Sequence, residues 1–271
     1  MKKLISKIYL GIVFLFLYAP ILVMIFFSFN STKSKTIFSG FSFRWYEALF
    51  RDEILMEALL NTLLIAVLSS VAATILGTAA AIGIHNLSKR VKGVVMNVSN
   101  LPIINPEIVT GVSLLLLFVF IMDPLGLDLG FVTVLLAHIV FNTPYVILNV
   151  MPRIRNMNVN LYEAALDLGC VPSAAFRKVV LPEIFPGVFA GFLMAFTFSL
   201  DDFIISYFTS GTFQTLPIYI YGLLKKPIPL SINALSALLF IIVILTLLLM
   251  NLKDTRASRK SQLAYENEKQ K

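Results

Sequence analysis

The stretch Glu163–Pro182, EAALDLGCVPSAAFRKVVLP, is a charged segment of helical pattern set between long apolar runs. Its position decides how the rest is arranged. A polar connection from Arg153 to Phe185 is too long for a simple turn, and the runs on either side of it approach membrane-spanning length.

Working outward, about 20 apolar residues are needed to cross roughly 30 Å of hydrocarbon at 1.5 Å per residue. Six runs qualify, at approximately 8–29, 58–84, 101–122, 131–151, 185–208 and 232–251, with the polar segment 152–184 as the longest connection near one face. Of the 271 residues, 58% are hydrophobic and 14% charged, against about 25% charged in a soluble domain. Mean hydropathy is +0.87. These values exclude a soluble enzyme and predict an all-α polytopic membrane protein, with residues 1–271 forming a single transmembrane domain.

Orientation follows from the basic residues. Lys2, Lys3 and Lys7 precede the first run, and Lys89, Arg90 and Lys92 lie between the second and third. Arg153, Arg155, Arg177 and Lys178 lie between the fourth and fifth, and Lys253, Arg256, Arg259, Lys260, Lys269 and Lys271 follow the sixth. The opposite side holds only Lys33, Lys35, Arg44, Arg51, Lys225 and Lys226. The positive-inside rule then predicts that both termini are cytoplasmic. The net charge of +7 is this excess, and it calls for no nucleic-acid partner. The segment MKKLISK before an apolar run has the form of a signal peptide, but no small-residue cleavage site follows Phe29, so a retained first helix is expected. Cys170 is the only cysteine, which rules out an intramolecular disulfide and a cysteine-rich zinc site.

The connections differ in character. Residues 30–57 are amphipathic, with Trp45 beside Tyr46 as at a membrane interface. Residues 123–130, DPLGLDLG, form a turn. Residues 209–231 are interrupted by Gly211, Pro217, Pro227 and Pro229, and a charged, frayed tail follows Asn251. Within the long polar connection, Leu161 to Leu168 reads as a helix stopped by Gly169, and a second helix starts near Pro172, followed by Ser173, Ala174 and Ala175. Small residues (Ala164, Ala165, Ala174, Ala175) permit close approach by another protein, with Glu163, Arg177 and Lys178 on the rim. From the residues alone, this elbow is either an ordinary surface connection or a docking surface.

Glu163, Ala164 and Ala165, then Gly169, then Val179, Leu181 and Pro182 resemble the EAA loop of ABC importer permeases, whose pattern is EAA, three residues, G, nine residues, I, one residue, LP. Val179 stands where Ile is usual, a difference of one methylene. The resemblance implies a type I ABC importer permease architecture with six transmembrane helices in the bacterial cytoplasmic membrane. It implies that the elbow is a coupling helix seated in a groove of a cytoplasmic ATPase, with Glu163 making a polar contact and Gly169 the bend. No P-loop of the G-x-x-x-x-G-K-[ST] kind occurs. ATP and Mg are therefore assigned to the partner ATPase, with no cofactor, metal or catalytic residue on this chain.

The fifth run contains FSLDDFIISYFTSG, with Asp201 and Asp202 in apolar surroundings. An ionised Asp near the bilayer centre costs about 2.5–3.5 kcal/mol on insertion scales, so it is paired, turned to a cavity, or functional. Adjacent helical residues point about 100° apart, so at most one of the two faces a path. The other reading makes the pair a helix cap or structural contact. Glu107, just after Pro106, is either a third acid of the path or an interfacial acid at a helix N-terminus. His138 and Asn142, spaced i, i+4, either line a path or bond between helices. Thr143, Pro144 and Tyr145 mark a candidate kink, and Ser28 and Asn30 end the first run without evident chemistry.

The SLDDFIISYFTSG segment, with NPEIVTGVSLLLLF in the third run and INALSALLF in the sixth, is similar to the spermidine/putrescine permeases, in particular the second permease subunit of that importer. The resemblance implies a cationic substrate drawn past Asp201, Asp202 and Glu107. It also implies a heterodimer with a homologous permease, two ABC ATPase subunits, an extracytoplasmic substrate-binding protein and surrounding lipid. Two alternatives stay open: the same architecture carrying an aminophosphonate or ferric iron, and an ATP-independent secondary transporter. A membrane enzyme is disfavoured, because no nucleophile and base pair or metal-ligand cluster occurs at workable spacing.

Overall fold

A computed structural model describes residues 2–34, 36–224, 229–241 and 244. The chain divides into two compact units, Met1–Met56 with Leu223–Lys271, and Glu57–Gly222.

The first unit opens with α1 (Lys2–Ser28), an apolar helix with none of its most hydrophobic window buried. A short loop leads to α2 (Arg44–Arg51). Asn30, fully buried, organises that loop. Its Nδ2 donates to the carbonyls of Ser34 and Ile37, each at 2.8 Å, its Oδ1 accepts from the Ser39 amide at 2.9 Å, and its carbonyl accepts from Trp45 Nε1 at 2.6 Å. Ser28 Oγ meets the Tyr46 hydroxyl at 2.9 Å. Ser28 and Asn30 thus fix the turn out of the first span, a role that apolar periodicity does not signal. Trp45 packs with Leu230 and Ala234 of the apolar helix Leu230–Ile241. The expected sixth span, 232–251, is helical up to Ile241, and its remainder lies largely outside the described residues.

The second unit contains most of α3 (Glu53–His85), then α4 (Lys89–Ile104), α5 (Glu107–Met122) and α6 (Phe131–Asn156). A short α7 (Val159–Asp167) leads into one continuous rod from Pro172 to Asp201. The rod comprises α8 (Pro172–Ala175), a π-helical segment (Phe176–Val180) and α9 (Leu181–Asp201). The short helices α10 (Ile204–Thr209) and α11 (Leu216–Leu223) complete the unit. Among the described residues, five helices have the length and composition to cross a membrane.

Several boundaries differ from expectation: the second span begins at Glu53, the fourth runs on to Asn156, and the fifth belongs to a helical rod that already starts at Pro172, inside the segment read as a polar connection. The third span starts at Glu107 rather than Leu101, because Asn105 and Pro106 are extended and Leu101 to Ile104 close the preceding helix. The fifth span is not one helix to Phe208: Asp202 is extended (φ −62°, ψ 121°) and separates α9 from α10.

Small residues bring the helices together, as in membranes, where lipid tails compete on equal terms with apolar side chains and close backbone approach provides the attraction. Val146 of α6 lies between two glycines. A Cβ on Gly77 of α3 would fall 2.6 Å from Val146 Cβ, and one on Gly191 of α9 would fall 3.1 Å from Val146 Cα. Gly187 lies equally close to Arg153 and to the Asn149 carbonyl. Around this contact Ala73, Val146, Val150, Ile184 and Ala195 form a fully buried core. A second core, Leu114, Phe118, Ala137, Phe141 and Ile205, joins α5, α6 and α10.

Substituting Val at Gly77 or Gly191 forces α6 away and should destabilise the fold by about 1–3 kcal/mol, as overpacking does. Gly83→Ala, where an added Cβ meets nothing, should be neutral or slightly stabilising. Thermal denaturation midpoints of the detergent-purified protein test this, and equal midpoints for all three variants would refute the glycine seam.

Candidate functional site

Two places carry the residues singled out from the sequence. The first is the elbow. Asn158 starts α7 by accepting from the Asn160 amide at 3.1 Å. The end of α7 is a Schellman turn: Gly169 (φ +84°) donates its amide to the Leu166 carbonyl, and Cys170 donates to that of Ala165. A residue other than glycine would be strained at that φ. Pro172 opens the next helix at its first position. Tyr162, Phe176 and Val180 turn inward and, with Ile82, His85 and Ile154, line a cavity of about 270 Å³ beneath the elbow. On the outer face Glu163 and Ala164 are exposed. Leu168 and Val171, which the sequence pattern does not single out, are 87% and 61% exposed. Ala165, Val179 and Leu181 are half-buried and Pro182 is exposed.

The second place is the break between α9 and α10. An interrupted helix leaves amides and carbonyls without partners, which is costly in an apolar setting. Asp202 supplies acceptors for the amides: its Oδ1 accepts from the Ile205 amide at 3.3 Å and its Oδ2 from the Ser206 amide at 2.7 Å. His138 Nε2 lies 3.2 Å from the same Oδ2. The imidazole also meets Ser199 Oγ through Nδ1 at 2.6 Å and Ser206 Oγ through Nε2 at 2.9 Å, and Ser199 meets Ser69 of α3 at 3.0 Å. The far end of α10 is tied to α6 as well, by Thr133 Oγ1 donating to the Thr209 carbonyl at 2.6 Å. Asp202 and His138 are buried, with 8% and 2% of their surface exposed.

Asp201 ends α9 on the other side and is exposed, as is Glu107 at the first position of α5. Glu107 interacts electrostatically with Asp201, Asp202 and the Tyr145 phenol, so the three acids share one neighbourhood. Among the described residues the Lys and Arg ion pairs reduce to Arg51–Glu47, and the imidazole of His138 lies against Asp202, which leaves Glu107 and Asp201 without a basic counter-charge. Aromatic residues flank the acids in sequence, Phe198 and Phe203, and each packs on a tyrosine from elsewhere: Phe198 on Tyr145 at 4.5 Å between centroids, and Phe203 on Tyr221 at 4.4 Å. Such a surface attracts a cation, through the carboxylates and through ring faces. Asn142, one helical turn from His138 on α6, is buried with no hydrogen-bond partner among the described residues. The parts played by Ser69, Ser199, Ser206 and Thr133 are not apparent from the sequence. Their one signal there is a pair of serines bracketing the two acids. Among the described residues no group of three or more His, Cys, Asp or Glu side chains is arranged to hold a metal.

The sequence profile of the family described as "Binding-protein-dependent transport system inner membrane component" matches residues 73–259. The chain is 40% identical over 230 residues to the putrescine transport system permease protein PotI of Escherichia coli, covering 83% of this chain and 82% of the relative. It is 35% identical over 235 residues to the spermidine/putrescine transport system permease protein PotC of Haemophilus influenzae, covering 86% and 90%. In fold it is similar to a chain of a bacterial ABC transporter involved in the import of the acidic polysaccharide alginate, with a TM-score of 0.67 at 15% identity, covering 93% of this chain and 95% of that one. It also matches a chain of an amino acid ABC transporter, with a TM-score of 0.51 at 20% identity, covering 74% and 92%.

The two aspartates should separate in a stability measurement. Asp202→Ala removes a cap, costing about 0.5–2 kcal/mol, and strands buried donors at a further cost of about 1–3 kcal/mol. Asp201→Ala, at an exposed site, should change stability by no more than about 0.5 kcal/mol. Denaturation midpoints in detergent provide the comparison, and equal losses at both positions would contradict the assignment.

Proposed function

The chain belongs to the family of binding-protein-dependent transport system inner membrane components, and from that premise we propose that it is the polyamine-conducting permease subunit of an ATP-driven importer. It is a transport subunit rather than an enzyme, and its family fits a multi-pass protein of the inner membrane. It forms the path as a heterodimer with a homologous permease, both termini facing the cytoplasm. An extracytoplasmic binding protein delivers the substrate, and two ATPase subunits, using ATP and Mg, dock beneath.

The observation that carries the substrate is the pair of exposed carboxylates, Glu107 and Asp201, beside a break in a spanning helix and without a basic partner among the described residues. Putrescine and spermidine, which the names of the relatives specify, are flexible chains of ammonium groups. Carboxylates offset the desolvation of each ammonium where the dielectric is low, and aromatic faces accept both the charge and the methylenes. Asp202, already accepting from backbone amides and facing His138, serves the break rather than the substrate.

Support for coupling comes from the elbow. Glu163 offers a carboxylate on its outer face, Leu168 and Val171 offer apolar contacts, and the Schellman turn at Gly169 sets the angle between α7 and the rod. Because the rod from Pro172 to Asp201 is continuous, a displacement of the elbow reaches the acids along one helix. ATP binding and hydrolysis in the partner then shift the balance between inward-open and outward-open states, as long as the partner contacts those states differently.

The test is uptake of labelled putrescine and spermidine by proteoliposomes holding the assembled importer, with ATP supplied to the ATPase side. Uptake should require ATP, and Asp201→Asn and Glu107→Gln should each raise KM several-fold without loss of assembly. Uptake without nucleotide, or unchanged KM in both variants, would defeat the reading. Independently, Glu163→Ala should weaken copurification with the ATPase and uncouple its hydrolysis from transport, while leaving the thermal midpoint of the isolated permease unchanged. A variant that copurifies and transports normally would remove Glu163 from docking.

A further inference from the structure

We propose that His138 is a positioning residue for transport: through Ser199, Ser206 and Asp202 it holds the break between α9 and α10 in the form that keeps Asp202 buried and presents Asp201 on the open face. The inference rests on the reading of Asp201 as a substrate-facing group.

The hydrogen bonds run in one consistent direction. Asp202, as a carboxylate, can only accept, so His138 Nε2 carries a proton, which it shares between the Ser206 hydroxyl oxygen at 2.9 Å and Asp202 Oδ2 at 3.2 Å. In the tautomer with the proton on Nε2, Nδ1 is an acceptor, and Ser199 donates its hydroxyl to it at 2.6 Å. The Ser199 oxygen in turn accepts from Ser69 at 3.0 Å. Each member of the chain Ser69, Ser199, His138, Asp202 is satisfied, and it crosses from α3 to α9, α6 and the start of α10.

Both oxygens of Asp202 are already engaged. The Ile205 and Ser206 amides donate to it, and the imidazole lies against Oδ2. Removing His138 therefore leaves a buried carboxylate short of a donor, with Ser199 losing its acceptor. The break has no glycine or proline to impose it, only these side-chain bonds. Without them the two acids, adjacent in sequence, no longer hold fixed and opposite orientations, so that the cost falls on substrate recognition.

The experiment is a double-mutant cycle in the reconstituted importer, with KM for labelled putrescine and Vmax per assembled complex as readouts. His138→Ala should raise KM on the order of tenfold, the scale of losing a group that orients a ligand-binding side chain. His138→Gln, which restores a donor towards Asp202, should recover part of the loss. Combined with Asp201→Asn, His138→Ala should add little, because both act on one contact. Where His138→Ala does not accumulate, Ser199→Ala severs the Nδ1 arm and enters the same cycle. If Asp201→Asn alone leaves KM unchanged, the substrate-facing reading fails, and this inference with it. If Asp201→Asn raises KM but the two effects multiply independently, or His138→Ala lowers only the amount assembled with KM intact, the positioning role is overturned while the substrate reading stands.

Discussion

A backbone that leaves the helix inside hydrocarbon must find its hydrogen-bond partners within the protein, because no water is there to serve it. The arrangement at Asp201 and Asp202 follows from that constraint. Once the helix stops at Asp201, the amides that begin α10 need acceptors, and the nearest is the next side chain in sequence. The buried carboxylate then needs a donor of its own, which His138 supplies from α6, while Thr133 secures the other end of the same short helix. One acid is used to make the break and the other is left free by it. The exposed charge and the buried cap are two results of a single interruption.

The packing around the break supplies the rigidity this requires. Val146 stands between Gly77 and Gly191, so α3, α6 and α9 approach one another with almost no side chain between backbones. Serine and histidine bonds among the same three helices lie farther along the seam. Small residues fix the distance and polar ones fix the rotation. Together they give α9 a defined face, which a purely apolar interface among lipid-like side chains would define poorly.

Much of this is legible in the sequence, for reasons that differ by element. Apolar length finds the five long helices among the described residues, since the bilayer thickness leaves little choice, and Gly169 and Pro172 announce the end of one helix and the start of another by their backbone preferences. Leu101 to Ile104 fall into the wrong helix when read by hydropathy, which does not register direction, whereas the extended Asn105 and Pro106 do end one helix before the next. The break after Asp201 has no glycine or proline to mark it, and only the two acids hint at something other than a plain helix. Asn30 is unreadable because its partners are the carbonyls of its own loop, which any sequence would provide. The serines that meet His138 come from distant positions, and their convergence is a property of the packed helices.

The π-helical segment Phe176–Val180 gives a physical meaning to the spacing between Gly169 and Leu181. A π turn absorbs one residue more than an α turn without ending the helix. Each residue added to a helix or removed from it rotates the remainder of that helix by about 100°. The spacing is thus a phase relation: it decides which side of the membrane rod lies above the outer face of α7. A one-residue change in that interval would leave both surfaces chemically intact and turn them out of step, like a key cut correctly on a shaft set at the wrong angle.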